Sequence, residues 1–192
     1  TAPISTVSSI WQSGGVKAMR DGTYLIDLEI EDTKKSWKLT LKNDKKEFVA
    51  VGYNAKTNEV YLDRKNSGIT NCGNGFATRN QVGIISSSES AQQATILVDK
   101  SSIEFFVNGG RMVLTDLMYP TKPYDQLELN PEGETVNIKH LKVTSIEPSN
   151  KVTGWEEITI PNDNQNHLRY ENGQIRIYTP HGVYTLSGAR IK

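Results

Sequence analysis

Hydrophobic residues recur along this chain with a period of two, in short runs separated by Gly, Pro, Asn and Ser. Tyr24, Ile26, Leu28 and Ile30 alternate with Leu25, Asp27 and Glu29. Trp37, Leu39 and Leu41 alternate with Lys38, Thr40 and Lys42, and Phe48, Ala50 and Gly52 alternate with Val49, Val51 and Tyr53. Alternate residues of a strand face opposite sides of a sheet, so these runs predict strands, with another over 60–63. Asn54-Ala55-Lys56-Thr57-Asn58-Glu59 reads as a hairpin loop, because Asn tolerates left-handed backbone and bonds locally. A second hairpin joins 94–98 to 103–107 through Asp99-Lys100-Ser101-Ser102, and Asn108-Gly109-Gly110 turns the chain into Met112-Val113-Leu114. Turn residues fall about every ten positions, too often for long helices. Many short antiparallel strands at this spacing predict a two-sheet sandwich rather than an alternating α/β fold.

Two stretches depart from that rhythm. Gly68 to Ser90 is rich in Gly, Asn and Ser, with only Val82-Gly83-Ile84-Ile85 strand-like, and reads as a long surface excursion. A boundary falls near Pro148-Ser149-Asn150, after a strand over 136–146. Beyond it, strands are expected at 155–160, 167–170, 174–178 and 183–186, with turns at Asn172-Gly173 and Pro180-His181-Gly182. The domain expectation is therefore a sandwich over 1–147 and a small β-meander appendage over 148–192, packed on the sandwich because so few strands fold poorly alone.

The chain has 192 residues, enough to bury a large core without cross-links. Charges balance at 22 Lys+Arg against 22 Asp+Glu, which argues against a nucleic-acid or anionic-membrane partner and fits a neutral one such as a sugar. No apolar run approaches the ~18 residues of a membrane helix. Cys72 is the single cysteine, so it has no internal disulfide partner and supplies no Cys-rich zinc site. The first residues, TAPISTVSSI, carry no charged-then-apolar leader, so either a leader has been removed or the sequence begins inside a longer protein.

Phosphate-binding, dinucleotide, zincin and nucleophile-elbow motifs do not occur, and His140, His167 and His181 lack metal-ligand spacing. Asp99 and Glu104 flank one tight turn, and paired carboxylates about 5–10 Å apart are the machinery of glycosidases. The structural alternative has Asp99 accept hydrogen bonds from turn amides near Ser101 and Ser102, and Glu104 pair across the sheet with Arg64. Sugar rings stack on exposed aromatics, for which Trp11, Trp37, Tyr119, Tyr124, Trp155 and Tyr178 are the candidates. Trp37 sits on an alternating strand and reads as core, whereas Trp11, Tyr124 and Trp155 lie in or beside loops, where a ring can also seal a core edge.

Two stretches carry a family resemblance. VGYNAKTNEVYLDRKNSG (Val51 to Gly68) and ILVDKSSIEFFVNGGRMVLTDLMYP (Ile96 to Pro120) resemble the signature of the C-terminal β-sandwich of glycoside hydrolase family 32, the invertases, levanases and inulinases. The resemblance covers roughly residues 10–147. It implies an all-β, two-sheet antiparallel sandwich of the concanavalin or lectin-like jelly-roll kind. Asp63, Arg64, Asp99, Ser102 and Glu104 match the signature, which implies fold maintenance rather than bond cleavage. In that family hydrolysis occurs in a preceding β-propeller, with acids in motifs of the type WMNDPN, RDP and EC. Here Trp11 is followed by Gln12-Ser13, Arg20-Asp21 by Gly22, and Cys72 is preceded by Asn71, so no catalytic residue carries over. The ending from Ile175 to Lys192 resembles C-terminal tails of large secreted proteins of Bacteroidetes.

The resemblance therefore implies a non-catalytic accessory module of a β-fructosidase, with no cofactor, no metal, and an N-terminal catalytic propeller of the same polypeptide as partner. It also implies an extracellular, periplasmic or cell-surface setting, and a sandwich that flanks a propeller should carry an apolar patch on one sheet or edge. The alternative is a free-standing, lectin-like module that binds fructan oligosaccharides through Tyr124 and Trp155.

Overall fold

The computed structural model describes residues 5–77, 81–146, 167–171, 174–179, 181–185 and 189–191. The chain divides into two compact units, Thr1–Pro148 and Ser149–Lys192. Among the described residues the only helical turn is a 3-10 turn at Lys17–Met19, and no helix is long and apolar enough to cross a membrane.

The first unit is two six-stranded sheets. Sheet 1 runs in the order β1 (Thr6–Val7), β12 (Val136–Ser145), β3 (Tyr24–Ile30), β8 (Gln93–Asp99), β9 (Ser102–Val107), β10 (Met112–Leu117). Sheet 2 runs β2 (Trp11–Ser13), β11 (Gln126–Asn130), β4 (Trp37–Lys42), β5 (Phe48–Asn54), β6 (Glu59–Asn66), β7 (Gln81–Ile84). Every pairing is antiparallel. The architecture is the expected β-sandwich.

The period-two pattern explains the layering. Tyr24, Ile26, Leu28 and Ile30 of β3 are buried while the residues between them are not. They meet Trp37, Leu39 and Leu41 of β4 and Val49, Val51 and Tyr53 of β5 in one apolar core. Each fully buried aliphatic side chain there contributes about 1.5–3 kcal/mol. Trp37 and Phe105 make the contact between sheets explicit, with ring centroids 6.1 Å apart and edge to face.

Strand β5 departs from simple alternation, since Val49 through Tyr53 are all buried. The cause lies on the outer side. Gly52 is covered by the Tyr61 ring, so a Cβ at that position would lie 2.5 Å from the ring. The short strands β1, β2 and β11 carry no prediction from the sequence; β11 is a five-residue run ending just before Pro131. The excursion after β6 is tied down at its base: Ile69 N–H donates to Tyr119 O at 2.8 Å, and Phe76 stacks on Tyr119 with centroids 5.6 Å apart.

The second unit is an antiparallel meander, β13 (His167–Glu171), β14 (Gln174–Thr179), β15 (Gly182–Thr185) and β16 (Arg190–Ile191), in chain order. The strands expected at 167–170 and 174–178 occur, and that expected at 183–186 occurs as β15. The strand expected at 155–160 and the Asn172-Gly173 turn lie outside the described residues.

Two carboxylates brace the sandwich ends and set its acid response. Glu47 follows the β4–β5 turn and accepts from Thr121 N–H at 2.9 Å, Thr121 hydroxyl at 2.6 Å and Asn43 amide at 2.8 Å. Burial pushes its carboxyl up, but these hydrogen bonds outweigh burial and hold it below the ordinary carboxylate range. Asp32 is likewise held low, first by the Asn137 backbone N–H and further by Lys35. Both folded pKa values lie below the unfolded ones. Their contribution is therefore complete above the unfolded range, about 4, and is lost as pH falls through the folded values. Urea midpoints should hold steady from neutral pH to about 5 and then fall. The Glu47→Gln variant should show a shallower fall, and an unchanged acid slope in that variant would remove Glu47 from the account.

Candidate functional site

The outer face of sheet 2 is built from the residues that alternate with the core. On β4 these are Lys38, Thr40 and Lys42, and register places them beside Gly52, Ala50 and Phe48 of β5. Tyr61 and Asp63 of β6 lie beside Gly52 and Ala50 in turn, and Glu128 of β11 lies beside Thr40. Small residues at the centre and long ones at the margins leave a groove of about 680 Å³. Its floor is Thr40, Ala50 and Tyr61, which are only 7%, 4% and 6% exposed although they face away from the core.

Ion pairs line the margin. Lys42 Nζ lies 2.7 Å from Glu128 Oε2, which also accepts from the Gln12 amide at 2.8 Å. Lys38 lies 3.6 Å from Glu132, whose other oxygen accepts from the Tyr61 hydroxyl at 3.3 Å. Lys38 and Lys42 thus stand against Asp63, Glu128 and Glu132, nearly balanced in charge. Among the described residues no His, Cys, Asp and Glu side chains gather as a metal-ligand set.

The signature residues do a different job from one another. Asp63 faces the groove and accepts the Lys65 N–H at 3.1 Å. Arg64 ties the sheets together. Its guanidinium lies 2.6 Å from Asp116 Oδ1 on β10, donates to Leu117 O at 2.8 Å, and stands 3.9 Å over the Phe76 ring. The Glu104 pairing expected for Arg64 does not form, because Glu104 lies in sheet 1 between Leu97 and Thr115 while Arg64 leaves sheet 2 at the edge nearest β10. Asp99 accepts from Lys100 N–H at 2.7 Å and from the Thr23 hydroxyl at 3.0 Å, rather than from amides near Ser101 and Ser102. Ser102 is the residue opposite Asp99 in the β8–β9 register. Asp99 and Glu104 both lie on the outward side of sheet 1, and neither lines the groove.

The sugar-stacking expectation needs correction at Tyr124. Its ring is 1% exposed and its hydroxyl donates to Ser67 O at 2.7 Å. Burial pushes the phenol well above its ordinary pKa. A ring without a solvent-facing surface offers none to a sugar; Tyr124 does lie in the loop before β11, as expected, but its ring seals the core. Trp155 lies outside the described residues. Trp37 is core, as read, and its indole N–H donates to Ala91 O at 3.0 Å.

The groove itself escaped sequence reasoning. The polar alternation of Lys38, Thr40 and Lys42 marks an outward face, but its concavity depends on the register of four strands drawn from distant parts of the chain.

Residues 5–145 match the family described as Glycosyl hydrolases family 32 C terminal. Over 151 residues the chain is 26% identical to the levanase of Bacillus sp. (strain L7), covering 75% of this chain and 16% of that protein. Over 149 residues it is 29% identical to the extracellular exo-inulinase of Aspergillus niger, covering 73% of this chain and 28% of that protein. The crystal structure of exo-inulinase from Aspergillus awamori shares the fold with a TM-score of 0.54 at 24% identity, over 76% of this chain and 30% of that one. The chain thus spans well under a third of the curated relatives it matches.

Proposed function

The chain belongs to the C-terminal family of the family 32 glycosyl hydrolases, and from that membership we propose that it is a non-catalytic accessory module of a β-fructoside-cleaving enzyme. The observation that carries this reading is the match over 5–145 to a family defined as a C-terminal part, in relatives several times longer that are named levanase and exo-inulinase. The parent's hydrolysis would occur in a catalytic propeller elsewhere in the same polypeptide, in an extracellular, periplasmic or cell-surface setting. The extracellular designation of the Aspergillus niger relative supports that setting.

Two features of the fold support a mechanical role. The Arg64 side chain of the signature pairs with Asp116 and so joins the two sheets, a bracing contact. In addition, the outer face of sheet 1 carries Leu25 opposite Leu97 and Phe106 opposite Val113, with Leu117 further along β10. Val113 and Leu117 are 42% and 50% exposed. These apolar side chains stand among Thr95, Glu104 and Thr115, and exposed apolar groups so placed are ones another domain can cover.

The chain by itself should release no fructose from sucrose, levan or inulin above a heat-killed blank. Measurable release, checked with purified chain, would overturn the non-catalytic reading. The coding sequence upstream of Thr1 tests the rest: propeller motifs in the same frame are expected, and a signal peptide directly upstream would favour the free-standing alternative instead.

A further inference from the structure

We propose that the groove on the outer face of sheet 2 binds a neutral oligosaccharide, with Thr40 at its floor and Asp63, Lys42 and Glu128 at its margins. The groove follows from β11, β4, β5 and β6 lying side by side, three inter-strand gaps or about 14 Å across. That width, with a volume of about 680 Å³, takes a short run of sugar rings. Small-molecule sites are concave, with a few placed polar groups over a floor of low polarity. Ala50 and the Tyr61 ring that covers Gly52 supply such a floor, and Phe48 adds a half-buried ring at one end.

The polar groups suit hydroxyls in particular. A sugar hydroxyl both donates and accepts, so its site needs acceptors and donors within one span. Carboxylates of Asp63, Glu128 and Glu132 accept; ammoniums of Lys38 and Lys42 donate. Because these charges nearly cancel, neither an anion nor a cation gains a strong net attraction there, whereas an uncharged ligand that hydrogen-bonds to them meets no net repulsion. The Thr40 hydroxyl is the most telling group. Thr40 is 7% exposed and lines the groove, so its hydroxyl is a donor and acceptor at the floor. A hydroxyl held at the bottom of a polar groove is placed to exchange hydrogen bonds with the hydroxyls of a sugar ring.

The fructan class of the saccharide rests on the proposed function; the groove rests on its own geometry. The test uses the 192-residue chain, isotopically labelled, titrated with β-2,6-linked levan oligosaccharides, β-2,1-linked inulin oligosaccharides and a gluco-oligosaccharide at millimolar concentration. Fructan titration should shift amides of β4, β5, β6 and β11 and leave sheet 1 unmoved. Thr40→Val keeps the shape and suits a strand, so it should fold, and it should weaken binding about fivefold by removing one hydrogen bond. Glu128→Gln, on the margin, provides a second variant that should weaken binding in the same direction. Equal shifts at the same residues with the gluco-oligosaccharide would uphold the groove and overturn its assignment to fructan. Absence of shifts with every saccharide, or shifts confined to other strands, would overturn the groove while leaving the accessory role to the coding-sequence test.

Discussion

Replacing Arg64 with alanine should lower the stability of the chain by about 3–5 kcal/mol, read as a drop in the urea midpoint at unchanged slope. The expectation rests on what the substitution leaves behind. Arg64 and Asp116 have side chains only 11% and 9% exposed, so removing the guanidinium strands a buried carboxylate without its cation. The same change frees the Leu117 carbonyl and takes away the cation over Phe76, which in turn stacks on Tyr119 at the root of the excursion. Arg64→Lys should recover only part of the loss, because an ammonium keeps the charge but not the planar fork that serves a carboxylate, a carbonyl and a ring together. Asymmetry gives a sharper check. Breaking a buried ion pair is costly, whereas replacing both partners by apolar residues of similar volume is often neutral. The double variant Arg64→Met, Asp116→Leu should therefore be more stable than Arg64→Ala. A loss under about 1 kcal/mol for Arg64→Ala would reduce this pair to an ordinary surface contact.

The Arg64 contact also marks where reading the chain by itself stops. Strands β3 and β4 were legible because each alternates cleanly, with Tyr24, Ile26, Leu28 and Ile30 on one side and Trp37, Leu39 and Leu41 facing them from the other sheet. The hairpins were legible because turn chemistry is local. Arg64's partner was not, since choosing between Glu104 and Asp116 requires knowing which edge of sheet 1 approaches β6. Tyr124 lies in a loop as its sequence context indicates, but which way a loop residue points is not local information: its ring fills the core and its hydroxyl reaches Ser67. The groove is the extreme case. Each contributing strand shows only that certain residues point outward, and the hollow exists once Gly52 and Ala50 fall beside Thr40 and under Tyr61. Family stretches such as Ile96 to Pro120 were readable because they are contiguous.

Trp37→Ala should be the most damaging single core truncation, at about 3–5 kcal/mol. That is a large share of the roughly 5–15 kcal/mol that holds a typical domain folded. Trp37 heads the fully buried side chains, it meets Phe105 across the sandwich, and its indole N–H is the donor to Ala91 O. Alanine removes the packing and the donor at once. Trp37→Phe separates them: the ring still reaches Phe105, while the Ala91 carbonyl loses its partner at a cost of about 1–3 kcal/mol. Thermal or urea unfolding reads both, and equal losses in the two variants would mean that the hydrogen bond, not the packed volume, dominates. The position also tests whether the two faces of β4 act independently. Trp37 points into the core and Thr40 into the groove. A folded Trp37→Phe chain should accordingly be less stable yet bind saccharide as the parent does, whereas Thr40→Val should bind more weakly at nearly unchanged stability. Loss of both properties in either variant would show that the groove depends on core packing beneath it rather than on its own polar groups.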